Sequence, residues 1–427
     1  MKKQDNSTVK QAGNKLWLSP WSYGESFIIA CTLIILGFIV ELVFQEQQIL
    51  VPPRPKNLII LFASIAILVM VNVFFRKSAV VKWFSSIPCS ISAITSYAGL
   101  VLLMGFIRQD GAGQIQWMQQ LGLNHMKNSW PFLFIEVYLF ISLGLVVLRR
   151  SYPLSRKNLG FLLNHFGLWL TLVAVAIGSG DLQRLRISIF ESGDFVDKGV
   201  KTGHEIYNLP FSLKLLDFKM EIYNPKIMLS DTIGGLSEKQ KGEILPVIEK
   251  GSEYKQNNYN IKILNILPSA ARTDSGYVPS NEPMAATAAL VHVKNLISGD
   301  SLTNWLCSGS MVMLPEYILL EKNLGLWLLS PEPKKFESKV VVKTNLGDVD
   351  TVTIEVNRPY KTRGWSFYQI GYEENMGPAS QLSIIEAVYD PWIKVVYSGI
   401  ALMLAGAAYL FWLGRGVRSK ESRSNGQ

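Results

Sequence analysis

The chain has 427 residues, 48% of them hydrophobic, with a mean hydropathy of +0.20 and a formal charge of +9. That hydropathy is too high for a soluble globule, so the surplus apolar residues need lipid as their solvent. The charge does not point to nucleic acid, because the cations sit at the ends of apolar runs rather than in one patch.

Residues 1–26 are polar and basic. Six apolar runs follow, at 27–44, 58–75, 87–107, 131–148, 160–178 and 393–413. Each is about the ~20 residues a helix needs to cross a bilayer. Lysines and arginines fall at 2, 3, 10 and 15, at 76, 77 and 82, at 149, 150, 156 and 157, and at 415, 418, 420 and 423. The intervening loops hold only Arg54, Lys56, Arg108 and Lys127. This alternation places both termini in the cytoplasm and residues 181–390 outside. The first run starts late and lacks a small-residue cleavage site, so it is an anchor rather than a signal peptide.

Residues 27–76 are expected to form a tight helical hairpin around a loop with Pro52-Pro53 and Pro55. Glu41 lies near the outer end of the first helix, either snorkelling into water or marking a functional carboxylate. The run 87–107 carries Ser and Thr, which cost little in a span because they bond to their own helix backbone. In the loop after it, Ile115, Met118 and Leu121 are three apart and predict a short interfacial helix, with Trp117 and Trp130 at headgroup level. His125 in that loop is either a solvated histidine or a ligand for a metal or haem at the outer face. Glu136, one to two turns into the next run, should face protein rather than lipid.

The stretch NLGFLLNHFGLWLTLVAVAIGSGDLQRLRISIFESG, residues 158–193, divides the chain into a membrane half and a polar half. His165 is the only histidine in any long apolar run, flanked by Phe161, Phe166 and Trp169. A neutral imidazole there is either an axial ligand for haem iron or a histidine bonded to a neighbouring helix. Gly160 and Gly167 are seven apart, as are Gly399 and Gly406 in the last run, so each pair offers a face for close helix packing.

In residues 181–390, period-2 patterns predict strands at 211–223, 259–266, 288–293, 339–343, 349–356, 366–372 and 382–387. The turn Asn345-Leu346-Gly347-Asp348 predicts a hairpin, while 231–258 and 267–286 read as long loops. The segment holds no G-x-S-x-G, H-E-x-x-H or P-loop pattern, and His204 and His292 stand alone. Cys31, Cys89 and Cys307 form no C-x-x-C, which argues against thiol redox, structural zinc or covalent haem. A final span (391–414) leads to a basic tail (415–427). The fold expected is a polytopic α-helical membrane protein of about six spans with a large extracytoplasmic β-rich domain.

Five stretches, in this order and spacing, resemble the ResB (CcsB) proteins of System II cytochrome c biogenesis. They are LGLNHMKNSWPFLFIEVYLFISLGLVVLRR (121–150), NHFGLWLTLVAVAIGSGDLQRLRISIFESG (164–193), LPFSLKLLDFKMEIY (209–223), VNRPYKTRGWSFYQIGY (356–372) with its Asn-x-Pro and Gly-x-x-x-Tyr-Gln motifs, and YDPWIKVVYSGIALMLAG (389–406). The resemblance implies a subunit that works with a CcsA-type, Trp-rich haem-handling membrane protein. Together the two bring haem b to the outer face for attachment to apocytochrome c. It implies that His165, matching the family's membrane histidine, is a haem axial ligand whose second ligand comes from the partner. The chain would then be a non-catalytic or co-catalytic subunit of a haem lyase complex. The first two helices precede the part that matches the family's usual start. The competing reading is a haem-free membrane scaffold or transporter accessory subunit.

Overall fold

The computed structural model describes residues 21–44, 48–109, 115–201, 205–231, 243–245, 248–280, 282, 285–321 and 323–424. The chain forms two compact units. One joins Met1–Leu182 to Asp390–Gln427, and the other is Gln183–Tyr389.

The first unit is helical: α1 Tyr23–Val43, α2 Lys56–Phe75, α3 Ala79–Phe84, α4 Ile87–Phe106, α5 Gln116–Gln120, α6 Trp130–Arg150, α7 Arg156–Gly178 and α8 Ile393–Ser424. Among the described residues, six helices are long and apolar enough to span a membrane: α1, α2, α4, α6, α7 and α8. Helix α1 starts ahead of its apolar run because Ser22 and Glu25 form a reciprocal capping box. The polar side chains of α4 are spent on α6. Ser90 bonds Ser142 at 3.0 Å, and Ser92 bonds the Tyr138 hydroxyl at 2.9 Å.

The expected hairpin of the first two helices is not a packed pair. Helix α1 packs on α4 and α6, whereas α2 packs on α6 and α7. What draws α1 to α6 is a small face. A Cβ on Gly37 would sit 2.4 Å from the Pro131 Cα, so only glycine permits that approach. The two glycine pairs meet each other. A Cβ on Gly167 would lie 2.6 Å from the Gly399 carbonyl oxygen, and one on Gly406 would lie 2.8 Å from that of Gly160. Helices α7 and α8 therefore touch backbone to backbone. The interfacial helix is present as α5, with Met118 and Leu121 packed into the α1/α4/α6 core and Trp117 exposed.

The second unit holds three antiparallel sheets. The largest has eight strands in the order Val349–Glu355, Pro333–Thr344, Ile206–Ile222, Val196–Val200, Gln183–Phe190, Leu382–Tyr389, Trp365–Tyr372 and Tyr360–Thr362. Its two edge strands are consecutive in the chain and joined by the Glu355–Arg358 bridge, so the sheet curls nearly closed. Alternate residues fill its interior, among them Leu213, Leu215, Val340, Phe367 and Ile385, all fully buried. The predicted hairpin is there: the Thr344 N–H donates to the Asp348 carbonyl at 2.9 Å across a turn with Gly347 at φ +95°.

A five-stranded sheet around Tyr259–Thr273 and Ala286–Asn295 packs on a four-stranded sheet around Ile227–Asp231 and Leu324–Leu328. They share a core that includes Ile227, Ile261, Val291 and Leu326. The expected loop at 267–286 is mostly hairpin, because Tyr259–Thr273 turns at Gly276 (φ +134°) into Gly276–Pro279. The expected loop at 231–258 contains the strands Glu243–Ile244 and Glu253–Gln256, while 232–242 and 246–247 lie outside the described residues.

Candidate functional site

His165 lies in the third turn of α7, half-buried. Its Nδ1 is 2.9 Å from the Phe161 carbonyl oxygen, one turn earlier in the helix. A carbonyl only accepts, so Nδ1 carries the proton and donates it. The Nε2 lone pair is left without a hydrogen-bond partner among the described residues. This division of labour is the one metal-bound histidines show: one ring nitrogen is anchored to a carbonyl, which fixes the tautomer, and the other is presented. The ring stacks on Phe161 with centroids 3.7 Å apart. The exposed Arg150 guanidinium also lies over the Phe161 ring, at 5.0 Å. A cation and an open imidazole nitrogen thus share one edge of the bundle, at its basic end.

Of the two readings of His125, solvated histidine or ligand, the solvated one does not hold. It is 9% exposed at the side chain, with Nε2 3.1 Å from Glu41 Oε1 and Nδ1 2.8 Å from Asn124 Oδ1. Both ring nitrogens have partners among the described residues. Glu41 does not snorkel either. It is 2% exposed, and its other oxygen accepts from the Trp130 backbone N–H at 2.9 Å. Gly122, at φ +67°, makes room for it, since a Cβ there would come within 2.7 Å of Glu41 Oε1. The pair ties α1 to the loop before α6.

A second polar hub escaped the sequence reading. Asp181 follows α7, and its carboxylate accepts three hydrogen bonds, from the Arg54 backbone N–H (2.8 Å), Asn57 Nδ2 (2.8 Å) and Trp392 Nε1 (2.6 Å), and pairs with the Arg54 guanidinium, whose Nε lies 2.9 Å away. Burial alone would raise the carboxyl's pKa. The bonds from Trp392, Arg54 and Asn57, with the Arg54 charge, outweigh burial and hold it below the usual aspartate value. Gly178 and Gly180 let Trp392 and the Pro52 backbone close on it. The sequence clue was a lone acid just past a helix end, but its partners are over a hundred residues away.

Glu136 is half-buried and makes no hydrogen bond or ion pair with a described residue. It borders an apolar cleft of about 550 Å³ between α2, α6 and α7. His292 Nδ1 bonds Thr303 Oγ1 across neighbouring strands at 2.8 Å, and His204 lies outside the described residues. No group of three metal-ligating side chains occurs among the described residues.

The motif residues of the second unit shape the fold. Gln369 is buried, and its Oε1 accepts from Ser338 (2.7 Å) and Ser383 (3.0 Å) inside the curled sheet. Asn357 (φ +65°), Arg363 (φ +48°) and Gly364 (φ +85°) supply left-handed turns where that sheet closes. Glu191 Oε1 accepts from the Phe218 N–H at 2.6 Å, beside the bulge of the longest strand.

No curated protein matches the chain significantly. Residues 299–386 match the ResB-like family. The match runs from Ser301–Cys307 into Leu382–Tyr389 and takes in the turns and the Gln369 cluster just described. The chain thus has six apolar helices and a β-rich unit, and residues 299–386 of that unit are similar to the ResB-like family.

Proposed function

We propose that this protein is the haem-holding subunit of a cytochrome c assembly complex. The observation that carries the reading is the His165 ring, with Nδ1–H given to the Phe161 carbonyl and Nε2 open. The residues present fit haem. His165 would ligate the iron through Nε2, the bond at Nδ1 strengthens the imidazole as a donor, and Arg150 supplies a cation for a propionate. Bound iron supplies the axial coordination that holds the porphyrin in place. One imidazole fills one axial position, and no other histidine lies in α1, α2, α4, α6, α7 or α8 among the described residues. The second ligand is therefore assigned to a partner, a CcsA-type protein with a Trp-rich haem-handling motif. In this reading the basic helix ends face the cytoplasm and the unit Gln183–Tyr389 lies outside the inner membrane. There it holds apocytochrome c or braces the partner, and the ligation chemistry belongs to the complex. The ResB-like match supports the cytochrome c biogenesis role.

The test is the absorption spectrum of the protein co-purified with its Trp-rich partner. Wild type should show a Soret band. His165→Ala should lose it and regain it with added imidazole, and Arg150→Ala should retain haem several-fold less well. A mutant spectrum identical to wild type removes His165 from the site. Absence of haem from every preparation under haem-replete growth leaves the scaffold reading in its place.

A further inference from the structure

A sheet edge can accept another chain, because its outer N–H and C=O groups have no strand to bond. Ser301–Cys307 is one edge of the five-stranded sheet and pairs on its inner side with Ala286–Asn295. Its outer side is fixed by three bonds. The Cys307 N–H donates to the Glu316 carbonyl at 3.0 Å, and the Glu316 N–H donates to the Cys307 carbonyl at 3.1 Å. The next residue, Ser308, donates instead to the Thr287 carbonyl on the inner side, at 2.9 Å. Backbone groups alternate in direction along an antiparallel strand, so Trp305, Thr303 and Ser301 also point outward. The Trp305 N–H donates to the Asn304 side-chain oxygen at 2.9 Å. The outward groups of Thr303 and Ser301, and the Trp305 carbonyl, have no partner among the described residues. Residues Ser301, Leu302, Thr303 and Asn304 are all exposed.

The other edges of the two smaller sheets are blunted. Glu243–Ile244 is two residues long, Glu253–Gln256 is four and carries Glu253 and Lys255, and Ile318–Glu321 has a shifted register. Ser301–Cys307 has seven residues in unbroken register, with neither charge nor proline. Sheets guard their edges with short strands, charges, prolines or bulges, and this edge has none of them. The groups on offer select the occupant. A row of backbone donors and acceptors, repeating with the strand's rise of ~3.4 Å per residue, is matched by an extended polypeptide backbone. Folded proteins have those groups bonded internally, whereas an unfolded chain has them free. Charge narrows the choice. On the outer face Ser301 stands opposite Lys294 and Thr303 opposite His292, with Lys262 beyond it. Both lysines are exposed and form no ion pair among the described residues. An added strand would lie two strand spacings, ~10 Å, from Lys294. The short Ser301 and Thr303 side chains between them leave that lysine open to a carboxylate on the added strand.

We propose that the open edge of Ser301–Cys307 captures an extended segment of an unfolded polypeptide as an added strand, with an acidic side chain of that segment set against Lys294. This rests on the cytochrome c assembly reading, in which that polypeptide is the apocytochrome before its haem is attached. The Cys307–Glu316 bridge closes one end of the edge, so the added strand pairs with the ~17 Å from Ser301 to Trp305. Main-chain bonding makes capture largely independent of the sequence captured.

The test uses the full chain with its Trp-rich partner in nanodiscs, incubated with reduced apocytochrome c. A benzophenone photo-crosslinker in place of Leu302 should label the apocytochrome, and the same group in place of Lys255, on the opposite edge, should not. Thr303→Pro removes an outward N–H and leaves the ladder to Ala286–Asn295 intact. It should weaken apocytochrome binding at least tenfold. Thr303→Val keeps the backbone and should bind as wild type, and Lys294→Glu should weaken binding about threefold. An unchanged haem spectrum in each variant shows that the complex is intact, and the crosslink reads the edge without any proline. Equal binding by wild type and Thr303→Pro overturns the proposal, as does a Leu302 crosslink to a second copy of this chain. Thr303→Val binding as weakly as Thr303→Pro overturns main-chain recognition, and unchanged binding by Lys294→Glu overturns the charge assignment. A haem-loaded complex that binds no apocytochrome overturns the proposal and leaves the haem reading standing. A haem-free complex that still captures apocytochrome through this edge does the reverse.

Discussion

Asp181 shows how much one carboxylate can hold. It joins the start of α2, the end of α7 and the start of α8 through three hydrogen bonds and an ion pair, two of the hydrogen bonds from buried side-chain donors. Asp181→Ala leaves the Trp392 and Asn57 donors unmet and should cost roughly 3 kcal/mol, read as a lowered thermal midpoint in detergent. The pH dependence has a definite sign. The folded carboxyl is held below its ordinary value of about 3.9, so its contribution is complete above about pH 4. It is lost as the pH falls through the lower, folded value. Wild type should therefore lose stability on acidification in this window more steeply than Asp181→Asn. Equal acid sensitivity in the two proteins would count against the hub. Neither this cluster nor the Glu41–His125 pair was legible in the sequence. An isolated acid near a helix end has a ready explanation in solvent, and only the fold brings it a partner 84 or 127 residues away.

At the scale of elements the sequence was most informative where one solvent acts on a whole segment. The six spans were legible because lipid demands an uninterrupted apolar run. The long strand Ile206–Ile222 was legible because a half-buried strand alternates. Ser301–Cys307 was missed because only its last residues are buried and its exposed half carries no period. The glycine pairs were read as packing faces, but the sequence could not say that they pack on each other. That contact is testable. Gly399→Leu drives a side chain into the Gly167 carbonyl and should separate α8 from α7, seen as loss of a disulfide engineered across the pair. Gly99→Leu on α4 is the control, because nothing lies within 4 Å of a Cβ there, and it should be neutral. Similar effects at both positions would mean that the glycines serve flexibility rather than contact.

For the whole molecule, the two units have separate cores. The unit Gln183–Tyr389 buries its own two large clusters, one inside the curled sheet and one between the other two sheets. Expressed alone it should fold as a β-rich protein with a cooperative thermal transition, measured by circular dichroism, and Gln369→Leu should weaken that transition by stranding Ser338 and Ser383. A molten profile for the isolated unit would show that the helical unit is needed to complete it. The β class and the two-part organisation were legible from patterning. The near-closure of the large sheet was not, because it rests on the pairing of the unit's first strand, Gln183–Phe190, with its last, Leu382–Tyr389.

That pairing has a consequence in time. The strand Gln183–Phe190 and the glycine face of α7 leave the ribosome together, and each needs a partner from the end of the chain: Leu382–Tyr389 for the strand, α8 for the helix. The whole unit between them must be synthesised first, which at ~5–20 residues per second takes on the order of 10–40 s. Through that interval the membrane bundle holds an unclosed helix and the nascent domain an unpaired edge, and the same last stretch of translation closes both. Nascent chains stalled before residue 382 would lack both closures at once, which makes the C-terminal stretch a joint checkpoint for the assembly of the two units.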